Sequence, residues 1–148
     1  MLSLLVRLAQ GLFPGMFGQP GPTKPQPRPT VIRRVAIVED NGFQRDVLER
    51  LVVAAGYQCD VYASPQDALT GITRDPVDLL ISDIFMPDLD GFELAARIRK
   101  LLPDLRCVLV TSHEADEIPP EKAATVDALL AKPITGRMLV DALTGIAR

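Results

Sequence analysis

Five short apolar runs alternate with five helix-like segments in this chain, and that alternation restricts the fold more than any other feature. The runs are Val35–Val38, Cys59–Tyr62, Leu79–Ser82, Cys107–Val110 and Ala128–Ala131. Most are continuous apolar stretches bounded by breakers, the pattern of a strand buried on both faces of a parallel sheet. The segments between them carry helix start signals. Asn41 can cap a helix, with Gln44 three residues on. Phe43, Val47, Leu48, Leu51, Val52 and Ala55 then recur at helical spacing until Gly56. Ser64-Pro65 opens a second helix in cap-then-proline order, with Ala68, Leu69 and Ile72 on one side. A third starts near Asp90, with Glu93 three residues later. It turns Leu94, Ala95, Ile98, Leu101 and Leu102 inward and ends at Pro103. Pro119-Pro120 cannot lie in a helix interior, so the fourth helix is expected to be only a short piece after Pro120. Thr135 caps the last helix, with Leu139, Leu143 and Ile146 facing the core. Five strands joined by helical crossovers predict a three-layer α/β sandwich with a parallel sheet.

The length of 148 residues suits one ordinary domain with a real core. The formal charge of −3 conceals an asymmetry. Residues 1–30 hold Arg7, Lys24 and Arg28 and no acid, whereas all 19 acids follow residue 30. An acidic domain argues against nucleic acid as the main partner of this chain, since phosphate backbones attract basic surfaces. Cys59 and Cys107 read as small hydrophobes in a reducing, cytoplasmic setting, and with a single histidine there is no zinc spacing. Residues 1–17 are too short and too interrupted, by Arg7, Gln10 and Pro14, to span a bilayer, and they fit a signal peptide poorly. On a helical projection they are amphipathic. They are expected either to meet a partner, a membrane surface or their own domain, or to be a poorly ordered tail. Residues 18–32 read as a Pro/Gly-rich linker, and residues 33–148 as the domain proper.

The chemistry sits at the ends of the strands. The first strand runs into Glu39-Asp40, the third into Asp83, the fourth into Thr111 and the fifth into Lys132. In an open parallel sheet these side chains converge on the carboxyl edge, where such folds bind ligands. Clustered carboxylates repel one another and recruit a cation. A hard ion such as Mg²⁺ suits one or two carboxylates plus waters. A lysine and a hydroxyl beside them suit a phosphoryl group, with Asp83 as the nucleophile. Taken singly, each residue has an ordinary explanation as a cap, a turn former or a solvated side chain. It is the delivery by four separate strands to one end that makes them a candidate site.

Residues 33–148 resemble the receiver domain of two-component response regulators. Glu39-Asp40 resembles the acidic pair of that family, Asp83 its phosphoacceptor, and Met86-Pro87…Asp90-Gly91 the loop that follows. Thr111 resembles its hydroxyl residue, and Lys132-Pro133 its lysine followed by a cis-proline. The resemblance implies a CheY-like sheet of order 2-1-3-4-5. It implies that Asp40 and Asp83 ligate Mg²⁺ directly, that Glu39 acts through water, and that the Phe85 carbonyl completes the protein ligands. Thr111 and Lys132 would contact the phosphoryl oxygens. Two departures stand out. The family usually has an aromatic switch residue three before the lysine, where this chain has Leu129, and Pro119-Pro120 falls where its fourth helix normally lies. Phe85 and His113 occupy positions that in the family tune access of water to the site.

The expected function is that of a cytoplasmic receiver taking a phosphoryl group from a sensor histidine kinase or a histidine phosphotransfer protein onto Asp83. It is expected to act as a phosphoacceptor rather than as an enzyme on other substrates. With no effector domain after the last helix, output is expected through contact with a downstream protein, onward phosphotransfer, or the segment 1–17. The rival readings are a receiver-like scaffold that is not phosphorylated and an aspartate-nucleophile phosphatase. The phosphatase class resembles DxDxT at the first strand, which this chain lacks there.

Overall fold

Side-chain caps open the helices at the positions the sequence marks. Asn41 Oδ1 accepts from the Gln44 N–H at 3.0 Å, Ser64 Oγ from Asp67 at 3.1 Å, Asp90 Oδ1 from Glu93 at 2.8 Å and Thr135 Oγ1 from Met138 at 3.2 Å. Each satisfies one of the N–H groups a helix start leaves unpaired. The computed structural model describes residues 31–112 and 117–146. The amphipathic segment 1–17, the linker up to residue 30 and His113 lie outside the described residues.

In chain order the elements are β1 (Arg34–Val38), α1 (Gly42–Ala54), β2 (Gln58–Tyr62), α2 (Pro65–Arg74), β3 (Leu79–Asp83), α3 (Gly91–Leu101), β4 (Arg106–Thr111), α4 (Pro120–Ala123), β5 (Ala128–Ala131) and α5 (Gly136–Ile146). All strand pairs are parallel, in the order β2-β1-β3-β4-β5. Successive strand residues point to opposite faces, and the core divides accordingly. Ala36, Val38, Leu80 and Leu109 pack with Ala68 and Ile72 of α2 and Leu94 and Ile98 of α3. Val35, Ile37, Leu79, Ile81, Val108 and Val110 pack with Leu48 and Val52 of α1 and Leu139 and Leu143 of α5. The result is the three-layer sandwich the alternation predicts, with β3 at its centre and every β3 residue buried.

One expected inward position, Leu101, is corrected, and two residues of the α1 repeat face solvent. Phe43 is 78% exposed and Val47 is 37% exposed. The buried stripe of α1 centres on Leu48 and Val52, and at about 100° per residue Val47 falls well away from it and Phe43 on nearly the opposite face. Leu101 is also exposed, at the last position of α3. Leu102, out of helical geometry at φ −125° and ψ 82°, packs on the core in its place. The fourth helix has four residues and no side-chain cap, as Pro119-Pro120 requires. Cys107 is buried and Cys59, on edge strand β2, is half-buried. Burial pushes both thiols up to about 12, so they stay protonated. No helix among the described residues is long and apolar enough to cross a membrane.

Candidate functional site

Strand register decides which side chains meet at the carboxyl edge. Val38 lies opposite Ser82, which brings the next residues, Glu39 and Asp83, level with each other. On the other side Thr111 lies opposite Ala131. Lys132 follows at once, its N–H donating to the Thr111 carbonyl at 2.8 Å. The Lys132–Pro133 peptide is cis. The loop after Asp83 folds back on its own strand. The Leu89 N–H donates to the Pro87 carbonyl at 2.9 Å and Gly91 N–H to the Ile84 carbonyl at 2.8 Å. Asp88 adopts a left-handed φ of 72°, which short polar residues tolerate better than most. A Cβ on Gly91 would stand 2.5 Å from the Asp83 carbonyl oxygen, so the return path has room only for glycine.

These elements bring Glu39, Asp40 and Asp83 together, with one carboxylate oxygen from each lying within 4.8 Å of the others. Glu39 and Asp83 are buried and Asp40 is exposed. Lys132 Nζ donates to Asp83 Oδ2 at 3.1 Å and to Glu39 Oε2 at 3.2 Å, and also to Gln44 Oε1. The other Glu39 oxygen accepts the Asn41 N–H at 3.1 Å, while an Arg45 guanidinium N–H holds the Glu39 carbonyl at 3.0 Å. Burial raises the Glu39 carboxyl above its ordinary value. The Asn41 hydrogen bond opposes this, the Asp83 charge adds to it, and Lys132 opposes it. Burial lowers the Lys132 ammonium, but hydrogen bonds and charge from Asp83 and Glu39 outweigh it, so its net shift is upward.

Thr111 ends β4 with only 1% exposure, next to the strand that delivers Lys132. Phe85 is 53% exposed two residues beyond Asp83. Leu129 is half-buried and packs against the core on the α2–α3 face. Sequence reading placed Gln44 only as a partner to the helix cap. Its approach to Lys132 comes from the docking angle of α1, which no local pattern encodes.

Three carboxylates against one ammonium leave the cluster net negative, a donor set that suits a hard divalent cation. Both Glu39 oxygens are engaged in hydrogen bonds, which favours Asp40 and Asp83 as the direct ligands. A doubly wound parallel sheet that gathers acids and a lysine at its carboxyl edge belongs to the α/β class whose ligand sites lie at that edge. A family model described as the response regulator receiver domain matches residues 35–144. The response regulator receiver protein CpdR of Brucella abortus is 33% identical over 111 residues, covering 74% of this chain and 92% of CpdR. The sensor histidine kinase RcsC of Escherichia coli is 32% identical over 111 residues, which is 74% of this chain but only 12% of that much longer protein. The Thermotoga maritima response regulator TrrA, solved in complex with Mg²⁺ and BeF, superposes with a TM-score of 0.70 at 25% identity, covering 78% of this chain and 99% of TrrA. This chain belongs to the response regulator receiver family and carries the phosphoacceptor module of two-component signalling.

Proposed function

We propose that Asp83 is the phosphoacceptor of this receiver. The observation that carries the reading is the single ammonium, Lys132 Nζ, shared by Asp83 Oδ2 and Glu39 Oε2 beside the exposed Asp40. An Asp83 oxygen attacks the phosphorus of a phosphohistidine on a sensor kinase or phosphotransfer protein. An O–P bond forms, the P–N bond breaks, and the electron pair returns to the imidazole, which takes a proton. Lys132 and the Thr111 hydroxyl stabilise the equatorial oxygens. Asp40, Asp83 and the Phe85 carbonyl would hold Mg²⁺, with Glu39 acting through water. The ion supplies charge neutralisation at the transferring group.

The TrrA complex with Mg²⁺ and BeF supports such a cation in a similar fold. Residues 33–148 form the receiver, with residues 18–32 as the linker that follows the N-terminal segment 1–17. The working compartment is the cytoplasm. Leu129 stands at the switch position without an aromatic ring, so output runs through a downstream protein contact that needs no ring swing.

The test is incubation with acetyl phosphate and Mg²⁺ followed by intact-mass measurement. One phosphoryl adduct is expected, absent in Asp83→Asn. No adduct, or one that survives that substitution, overturns the assignment.

A further inference from the structure

We infer that Gln44 is a positioning residue for phosphoryl transfer, acting through Lys132; the inference rests on the reading of Asp83 and Lys132 given above. A lysine ammonium has three protons to donate. Here the three acceptors come from three parts of the chain: Glu39 after β1, Asp83 at the end of β3, and the Gln44 carboxamide in the first turn of α1. The first two are charged, and both face the proposed transfer site. An arriving phosphoryl group or cation draws on those same carboxylates, so their hold on Lys132 changes as the reaction proceeds. The Gln44 oxygen is neutral and belongs to the helix, so its bond to the ammonium persists and fixes where the charge stands.

A local role for this side chain is already filled. Gln44 sits three residues after the cap Asn41, where a glutamine ordinarily reaches back to the cap's own N–H. In this chain the Asn41 N–H donates instead to Glu39 Oε1 at 3.1 Å. The forward half of the cap, Gln44 N–H to Asn41 Oδ1, uses only the Gln44 backbone. The carboxamide is thereby released from helix capping and given to Lys132. The half-buried position of Gln44 shields that bond in part from water.

The experiment compares full-length protein with Gln44→Met, which keeps length but has no strong acceptor, and with Gln44→Ala. Phosphorylation by acetyl phosphate with Mg²⁺ is timed by intact mass. In parallel, hydrogen exchange of the Lys132 ammonium is followed by ¹⁵N-edited NMR, and chemical unfolding checks the fold. Both variants are expected to fold and to phosphorylate roughly three- to tenfold more slowly, the range of one typical net hydrogen bond. Their Lys132 ammonium protons are expected to exchange faster. Unchanged rates overturn the inference. Slower rates with an unchanged Lys132 signal also overturn it, because Gln44 would then act through the helix. Absence of an adduct in the unsubstituted protein defeats the phosphoacceptor reading itself, and the inference with it.

Discussion

At the scale of residues, the site depends on one position that carries no chemistry. Gly91 passes so close to the Asp83 carbonyl that any Cβ collides with backbone, which cannot swing away as a side-chain tip can. Gly91→Ala is therefore expected to push the loop off the end of β3. The cost is about 1–3 kcal/mol, in the range of overpacking at a tight site, and the Asp83 carboxylate moves relative to Lys132. Chemical unfolding together with the acetyl phosphate rate checks both effects. A variant with normal stability and normal rate would show that the loop has slack. The acids, the lysine and the hydroxyl were legible in the sequence because each follows an apolar run directly. Gln44 was not, because its partner lies 88 residues away.

Among the elements, α4 is the one the sequence described by exclusion, and the structure shows what holds so short a helix in place. The Arg99 guanidinium on α3 donates to the Thr125 carbonyl and to Asp127 Oδ2 at 3.2 Å, while Nε reaches the Leu105 carbonyl. Asp127 in turn accepts the Cys107 N–H at 2.8 Å. Lys122 stands 5.7 Å over the Phe92 ring. The four-residue helix is thus clasped to α3 through Lys122 and through the residues that follow it. Arg99→Ala is expected to cost about 1–2 kcal/mol, since the guanidinium is partly exposed. It is also expected to speed amide hydrogen exchange across residues 119–127 while leaving β1 and β3 protected. Uniform exchange throughout would place Arg99 outside any local clasp. Pro119-Pro120 announced the shortness of α4 because proline forbids a helix interior. The clasp joins residues 26 and 28 apart, and no sequence period reveals such a pairing.

For the molecule as a whole, one sheet serves two apolar layers, and neighbouring β3 residues belong to opposite ones. Leu80 enters the α2–α3 layer and Ile81 the α1–α5 layer. Leu80→Ala and Ile81→Ala are each expected to lose about 2–5 kcal/mol. Each is expected to keep a single unfolding transition by both circular dichroism and fluorescence of a probe placed on one layer. Separate transitions would mean that the layers fold independently. The strand–helix alternation made this architecture readable because burial on both faces leaves apolar runs unbroken. The inward face of α3 was misjudged at Leu101, because periodicity does not mark where the helix ends and Leu102 leaves helical geometry. β3 is hydrogen-bonded on both sides and buried along its whole length, which leaves it little freedom to shift. A charge newly attached at its tip cannot be announced by the strand's own movement, so the news must leave through the loops around it, which makes those loops the place to look for whatever listens.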